Sequence, residues 1–200
     1  MKMHHWYHLY CGGAGPWEEI VREHFDALQS SGLYLGLSSL NIGVVGPRRR
    51  RQQAYLLLDS IIGKVPGPDF HVWCEDEGWE QFTLTQLWRC AQVADDTDMV
   101  FYAHTKGAAN PSDGQRTVRE ALEHLMIERW QVCLNDLMAT SDVVTPYRMM
   151  IDGRNRPVGA NNYWWARMSW IATLDQPRMD ERYDAERWII GPNVLGDEPT

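Results

Sequence analysis

Short apolar runs alternate with segments of helical periodicity through the first 145 residues of the chain. Four of these runs are rich in β-branched and aromatic side chains, which is typical of buried strands. They lie at residues 5–11, 41–45, 70–74 and 99–103. Because strands joined by helices form right-handed crossovers, the pattern predicts an α/β fold with a Rossmann-like, mostly parallel sheet flanked by helices.

Apolar residues recur at helical spacing after each predicted strand. Three connecting helices are predicted at residues 17–28, 54–62 and 84–91. The longest amphipathic stripe predicts one continuous helix over residues 118–137. A short strand at residues 143–144 ends this part of the chain.

The C-terminal quarter has a different pattern. Asp152-Gly153 and Pro157 predict turns, as in a hairpin. Asn161-Asn162 follows, and its amide side chains are suited to capping a helix. The apolar face of that predicted helix carries Trp164, Trp165, Met168 and Ile171.

Composition limits the classes of protein that fit. Two hundred residues with 44% hydrophobic content can form one core, so a single domain over residues 1–200 is predicted. No apolar run is as long as a membrane span and the N-terminus lacks a signal-peptide core, so we expect a cytoplasmic protein. The four cysteines are widely spaced, which predicts buried thiols rather than a zinc site or disulfides. A net charge of −8 disfavours a general nucleic-acid binder but allows a local basic groove.

One predicted strand continues directly into a polar loop. Residues 99–103 are apolar, and His104, Thr105 and Lys106 follow them before Gly107 allows a close backbone turn. In an open α/β sheet, ligands bind outside the carboxyl ends of the strands. This strand end is therefore the candidate active site, and an ordinary solvated loop is the alternative.

Two other strand ends carry candidate ligand groups at the same edge. Gly12-Gly13-Ala14-Gly15 follows the first strand and opens a helix, where a nucleotide phosphate or base would dock. It is not a G-x-G-x-x-G fingerprint, and no acidic residue closes the second strand, which disfavours hydride and methyl transfer. Four arginines at residues 48–51 begin the next helix and oppose its dipole. A diphosphate or nucleic acid would relieve them, and a solvated charge run is the alternative.

Three clusters contain metal-ligating residue types. Asp95-Asp96-Thr97-Asp98 includes a D-x-D, but it precedes its strand and lies about 20 Å from the His104 end, so a solvated turn is predicted. His4, His5 and His8 are interpreted as core or surface histidines of an edge strand. Glu75-Asp76-Glu77 follows the third strand on the candidate edge and stays open as a metal or ribose ligand.

Amide and aromatic side chains adjoin each other in Asn161-Asn162-Tyr163-Trp164-Trp165. Together they have the chemistry of a sugar or base pocket, and a capped core helix is compatible with the same pattern. Nearer the C-terminus, Asp184 and Glu186 supply carboxylates that could act as a general base toward an acceptor hydroxyl.

Five separated segments, in consistent order over nearly the whole chain, resemble one family. They are Tyr7-His8-Leu9-Tyr10, Ser30-Ser31-Gly32-Leu33-Tyr34, Tyr102-Ala103-His104-Thr105-Lys106-Gly107, Gly159-Ala160-Asn161-Asn162-Tyr163-Trp164-Trp165-Ala166 and Ala185-Glu186-Arg187-Trp188-Ile189. The family they resemble is the small bacterial and viral glycosyltransferases of the GT-A type that carry a His-Thr-Lys-Gly motif. That family usually reads Gly-Asn-Phe-Trp-Trp in the fourth segment. Either Asn161 or Asn162 can therefore take the place of its asparagine.

The resemblance implies a GT-A type fold with a nucleotide-sugar-binding core at residues 1–145 and an acceptor-side hairpin, helix and tail at residues 146–200. It implies a catalytic set in which His104 and Lys106 lie near the diphosphate and Glu186 faces the acceptor. Donor contacts are expected from Tyr10, Gly12, Gly13, Thr105, Gly107 and Arg48. Substrate contacts are expected from Asn161, Asn162, Tyr163, Trp164 and Trp165.

The predicted reaction is transfer of a hexose from a nucleoside-diphosphate sugar, with UDP favoured, to a hydroxyl of a glycan, a glycolipid or a hydroxymethylated DNA base. Because Lys106 lies at the strand end, it is expected to take over charge stabilisation that a metal commonly supplies. Manganese or magnesium is therefore an alternative rather than the favoured cofactor. The competing hypotheses are a non-catalytic nucleotide-sugar-binding module and a nucleic-acid-binding module of the same fold.

Overall fold

The computed structural model describes residues 1–63, 66–146, 148–151, 156–178 and 184–191. The strands are β1 Met3–Tyr10, β2 Ser39–Val45, β3 Asp69–Glu75, β4 Met99–His104, β5 Val143–Val144, β6 Arg148–Ile151, β7 Arg156–Gly159 and β8 Trp164–Arg167. The helices are α1 Trp17–Ser30, α2 Leu33–Gly36, α3 Arg48–Ile62, α4 Gln81–Ala91, α5 Asp113–Glu123, α6 Trp130–Ala139, α7 Met168–Thr173 and α8 Asp184–Trp188.

A six-stranded sheet in the order β3-β2-β1-β4-β8-β5 forms the centre of the fold. The first four strands of the chain pair in parallel, and β8 runs antiparallel between β4 and β5. The predicted α/β architecture with a mostly parallel sheet flanked by helices is confirmed. β1 has a neighbour on each side, so the prediction that its histidines lie on an edge strand is wrong.

Hydrophobic clusters cover both faces of this sheet. On one face, Tyr7 and Phe101 pack with the apolar sides of α1, α3 and α6. On the other face, Trp6 and Tyr102 pack with α4, α7 and the Ile189-Ile190 segment that follows α8. Because side chains alternate across a strand, neighbouring residues of β1 and β4 contribute to opposite clusters.

The segment around Trp164 and Trp165 is a strand, and its prediction as a capped helix is wrong. Both indoles are fully buried, stacked on Tyr102 and Phe101 at ring-centroid distances of 4.9 and 5.2 Å respectively. A short apolar run buried on both faces has no periodicity that separates a strand from a helix, which is why the pattern misled. The helix that the pattern predicted begins only at Met168.

The predicted helix over residues 118–137 is interrupted. α5 ends at Glu123, a single π-helical turn covers His124–Glu128, and α6 resumes at Trp130. A π turn inserts a residue into the helical repeat and lets two successive helices keep apolar faces toward the same core. Apolar periodicity alone does not reveal such an insertion.

Three further predictions concern the hairpin, the cysteines and membrane spans. β6 and β7 pair as an antiparallel hairpin, with Pro157 inside β7, and Asp152-Gly153 lies outside the described residues. Cys11 and Cys133 are buried as predicted, whereas Cys74 is exposed and Cys90 half-buried, all as free thiols. Among the helices in the described ranges, none is long and apolar enough to cross a bilayer.

Candidate active site

The carboxyl ends of β1 and β4 are tied together at the candidate site. The backbone N–H of Thr105 donates to the His8 carbonyl at 3.0 Å, and the Thr105 hydroxyl accepts from the Tyr10 N–H at 2.9 Å. Thr105 is only 4% exposed. Its side chain therefore locks two strand ends together and fixes where the neighbouring His104 and Lys106 emerge.

The glycine loop after β1 packs directly on the loop after β4. The Gly15 N–H donates to the Ala108 carbonyl at 3.1 Å. A Cβ atom built on Gly13 or on Gly15 would lie 2.5 Å from that same carbonyl oxygen. At Gly12 its three nearest neighbours would all be atoms of the Tyr10 side chain, at 2.9 to 3.1 Å. Gly13 and Gly15 are thus needed for loop packing, while Gly12 is exposed at the site.

We expect Gly13→Ala to destabilise the protein by about 1–3 kcal/mol, because the added methyl group overpacks against main chain that cannot move aside. Gly12→Ala is the matched control, since its methyl group meets a movable tyrosine ring. Denaturant unfolding of the two variants measures the difference. Equal stabilities would show that the loops are not held in contact.

His104 lies between two oxygen acceptors. Its Nδ1 is 3.4 Å from Glu80 Oε1, and its Nε2 is 2.9 Å from the main-chain oxygen of Asn161. A doubly protonated imidazole satisfies both contacts, because it has a donor on each nitrogen. Both ring nitrogens of His104 are therefore turned toward oxygen atoms of the protein.

Glu80 organises the site, and it was absent from the residues singled out in the sequence. Besides His104, its carboxylate accepts from the Asn162 side-chain amide at 2.5 Å and from the Tyr102 hydroxyl at 3.3 Å. Burial raises the pKa of Glu80, while His8, Asn162 and Lys106 oppose that rise. The opposing effect of Lys106 is Coulombic.

A strained turn joins the hairpin to β8 at this point. Asn161 and Asn162 have positive φ angles of 65° and 49°, a conformation that costs energy in residues other than glycine. Asn162 is fully buried, and its Oδ1 accepts from Trp164 Nε1 at 2.7 Å while its amide donates to Glu80. The side chain of Asn162 therefore stabilises the turn from inside the protein, whereas Asn161 is partly exposed to solvent.

Of the five predicted substrate contacts, four are buried. Asn162, Tyr163, Trp164 and Trp165 are each 0% exposed, which places these side chains in the core rather than on a sugar-facing surface. The buried Tyr163 hydroxyl donates to the His104 carbonyl at 2.9 Å, so it holds the main chain at His104 in place. Burial of both tryptophans follows from their position in β8, which the periodicity did not reveal.

Lys106 emerges from a bend that Gly107 allows. Gly107 has a φ of 92°, which favours glycine strongly over residues with a Cβ atom. The Lys106 carbonyl accepts from Arg119 Nη1 at 3.2 Å. The loop main chain is thus held from inside the protein while the Lys106 side chain is half-exposed at the site.

His8 lies beside His104 in the parallel β1–β4 pair, and its Nδ1 contacts Thr83 Oγ1 at 2.8 Å. Burial lowers the pKa of His8 to about 4, with Glu80 opposing the shift and His104 adding to it. His8 is therefore neutral at physiological pH, and it lies beside His104 at the candidate site.

The neutral state of His8 predicts loss of stability in acid. An unfolded chain gains the His8 proton near pH 6.5, whereas the folded chain resists it down to about pH 4. The stabilisation is fully present above pH 6.5, and roughly 3 kcal/mol is lost as the pH falls to 4. His8→Gln keeps a side chain that can bond Thr83 but does not titrate. Unfolding curves of both proteins at pH 7 and 4 should show a smaller acid loss in the variant, and equal losses would contradict the assignment.

The arginines at residues 48–51 begin α3 at the carboxyl edge, with Arg48, Arg49 and Arg50 exposed. Arg51 forms an ion pair with Asp76 in the loop after β3, so a carboxylate already compensates it. A cleft of about 410 Å³ adjoins Arg50 and is lined by Gly15, Pro16, Trp17, Glu18, Glu19 and Arg22. The cleft lies at the N-terminus of α1, where an anion could bind the free N–H groups of the helix. Two glutamates in the first turn of α1 would repel that anion, so this helix N-terminus is a poor anion site.

The acidic clusters lie in different places. Asp98 precedes β4, so it lies at the amino end of the strand that ends at His104, as predicted. It is buried rather than solvated. Its carboxylate accepts from the Lys2 N–H at 2.7 Å and contacts His4 at 3.4 Å. Glu75, Asp76 and Glu77 are exposed at the candidate edge. In the part of the chain that the structure describes, no group of three or more ligand side chains is arranged for a metal ion.

The helix that carries Glu186 packs close to this site. α8 contacts the Ala160–Asn162 turn and β7, while Ala185 is buried in the core. Glu186 itself is half-buried. The structure thus gathers the His104 loop, the asparagine turn and the Glu186 helix on one side of the sheet, although they are distant in sequence.

Comparison with known proteins gives a family without an assigned activity. Residues 6–187 match the model of a domain of unknown function, DUF8361. The chain belongs to this family. A search of curated proteins found no match.

Two solved structures are similar at low sequence identity. Rv0371C from Mycobacterium tuberculosis H37Rv, in complex with manganese, is 13% identical, with 87% of this chain and 77% of that chain covered and a TM-score of 0.36. A 4-diphosphocytidyl-2C-methyl-D-erythritol synthase is 13% identical, with 92% of this chain and 83% of that chain covered and a TM-score of 0.39.

Proposed function

We propose that this protein is a glycosyltransferase that moves a hexose from a nucleoside-diphosphate sugar, with UDP as the favoured nucleotide, to an acceptor hydroxyl. The observation that carries the proposal is the contact of His104 with Glu80 at the carboxyl edge of a parallel sheet, with the half-exposed Lys106 two residues further along the same loop. Ligands of α/β proteins bind outside the carboxyl ends of the strands, and cationic side chains at that place suit an anionic ligand. The resemblance to GT-A type enzymes supports the same reaction.

Lys106 and His104 are proposed to stabilise the departing diphosphate. As the bond between the anomeric carbon and the diphosphate oxygen breaks, negative charge develops on the leaving group. Lys106 is half-exposed, and His104 lies between two oxygens that would stabilise its protonated form, so both residues are suited to stabilise that negative charge. The acidic first turn of α1 favours this position for the diphosphate over the helix N-terminus. Manganese or magnesium remains the alternative source of charge.

The remaining donor contacts are proposed to come from the loops around Lys106. Gly13 borders the Ala108–Ala109 main chain, and the Tyr10 ring lies against Gly12. Backbone groups of these glycines and the Tyr10 ring are suited to the nucleoside, with Arg48 on the same edge. Glu186 is proposed to accept the proton of the attacking hydroxyl, because its helix packs against the Asn161 turn.

A glycan or glycolipid hydroxyl is the favoured acceptor, and a hydroxymethylated DNA base is the second candidate. The observation that favours the second is the exposed run Arg48, Arg49 and Arg50, whose charge could contact a phosphate backbone. The rate of transfer to DNA would fall steeply as the salt concentration rises, whereas the rate of transfer to a neutral glycan would not.

The test is a donor-consumption assay. The protein is incubated with UDP-, GDP-, ADP-, CDP- and TDP-hexoses, with and without manganese, and the released nucleoside diphosphate is measured in water and with each acceptor class. Release from one donor, increased by one acceptor, is the expected result. Binding of a nucleotide without release would instead identify a non-catalytic binding module.

A further inference from the structure

A second group of polar side chains is buried on the opposite face of the sheet from Glu80. It comprises Tyr7, His24, Arg119, Glu123 and Tyr163, none of which is more than 8% exposed. The Tyr7 and His24 rings stack at 4.3 Å, and His24 Nδ1 lies 3.8 Å from Glu123 Oε1. We call this group the buried polar cluster. Charges are costly to bury, so a cluster of this kind calls for a physical reason.

Two members of the buried polar cluster reach the main chain of the candidate active loop. Arg119 Nη1 donates to the Lys106 carbonyl at 3.2 Å, and the Tyr163 hydroxyl donates to the His104 carbonyl at 2.9 Å. Arg119 Nη1 would also lie 3.6 Å from a Cβ atom on Gly107. The guanidinium therefore lies directly behind the bend from which the Lys106 side chain projects.

Arg119 is itself held in place. Its Nη2 pairs with the Glu23 carboxylate of α1, so one planar guanidinium joins α1, α5 and the Lys106 loop. Arginine suits this task because its donors form a rigid fork that can bond two oxygens at once. For stability alone, apolar side chains of similar volume would serve at least as well as a buried ion pair.

We propose that Arg119 is a positioning residue that fixes the Lys106 loop so that the lysine charge meets the donor diphosphate. The proposal rests on the proposed function, because it names what sets the geometry of that site. A small misplacement of a group that acts on the transition state can cost about a hundredfold in rate. Arg119 does not contact the substrate and acts through the Lys106 carbonyl.

The chain offers a matched control. Arg116 lies one helical turn earlier on α5 and contacts the same Glu23 at 3.8 Å, but its side chain is 59% exposed and its Nε donates to Glu120. Arg116→Ala removes one positive charge beside Glu23, as Arg119→Ala does, without removing the bond to Lys106. Arg119→Lys is the second variant, because it keeps the charge toward Glu23 but lacks the fork.

Two measurements are made on the full chain. The first is kcat and KM for the donor, with and without millimolar guanidinium chloride. We expect kcat of Arg119→Ala to fall about tenfold to a hundredfold and to recover in part with guanidinium, which fills the vacated place. Arg119→Lys should fold and show a smaller loss, and Arg116→Ala should keep its rate. A folded Arg119→Ala or Arg119→Lys with the rate of the unaltered protein would overturn the proposal.

The second measurement is amide hydrogen exchange at Lys106 and Ala108, whose N–H groups donate to the His104 and Thr105 carbonyls at 2.7 and 3.1 Å. Exchange at these amides should accelerate in Arg119→Ala and stay unchanged in Arg116→Ala. This readout does not need turnover. If the unaltered protein consumes no donor, the proposed function fails, but hydrogen exchange still tests whether Arg119 fixes the Lys106 loop. Equal exchange rates in Arg119→Ala and Arg116→Ala would overturn that role of Arg119.

Discussion

Replacing Lys106 by alanine is expected to lower the rate of hexose transfer about 10²- to 10³-fold, which is the usual cost of removing one group that stabilises developing negative charge. Lys106 is half-exposed, and its loop is fixed through main-chain bonds that do not use its side chain. The substitution should therefore leave the fold intact. The effect is measured as kcat for the donor identified in the consumption assay.

Lys2→Ala is the matched control for that substitution. Lys2 is an exposed lysine just before β1, at the edge of the sheet opposite to His104. Its loss removes the same charge from the whole protein without touching the candidate site. We expect the control to keep its rate, and an equal loss in both variants would mean that only overall charge matters.

Replacing Glu80 by alanine is expected to destabilise the protein by about 3 kcal/mol and to abolish most activity. His104, the Asn162 amide and the Tyr102 hydroxyl all face this carboxylate, and each buried donor that loses its acceptor has a desolvation cost. For a chain of this size the loss corresponds to a melting temperature lower by roughly 6–12 °C. Activity should fall because His104 and the Asn161 turn lose their common partner.

Glu80→Gln and Glu77→Ala separate the causes of that effect. Glutamine keeps the size of the side chain and one oxygen acceptor but not the charge, so a smaller stability loss with a large rate loss is expected. Glu77 is exposed in the loop that precedes α4, and its replacement should change neither quantity. If Glu80→Ala melted and turned over like Glu77→Ala, Glu80 would not be the centre of the site.

The sheet and its candidate edge could be predicted from the sequence because local patterns determine them. Each of the first four strands is a short apolar run followed by helical periodicity, and parallel strands place their carboxyl ends together. The location of His104 and Lys106 at one such end follows directly from the end of β4. The same logic correctly separated Asp98 from the site, at the opposite edge.

Other features depend on contacts between distant residues, which a single sequence does not reveal. Trp164 and Trp165 form an antiparallel strand beside β4, and only that pairing explains their complete burial. Glu80 looks like any glutamate near the start of a helix, and its importance comes from His104 and Asn162, which are 24 and 82 positions away. The one sequence signal that pointed to Glu80 is that it follows the end of the third strand, on the candidate edge of the sheet.

The most direct test of the account is the melting temperature of the protein with each nucleoside diphosphate and its sugars, with and without manganese. A ligand at about a hundred times its dissociation constant stabilises the folded state by about 2.7 kcal/mol, which for this chain length raises the melting temperature by roughly 5–10 °C. We predict such a shift for one nucleotide, strongest for UDP and its sugars, and a much smaller one in Lys106→Ala. No shift with any nucleotide in the folded protein would contradict a nucleotide-sugar site at this edge.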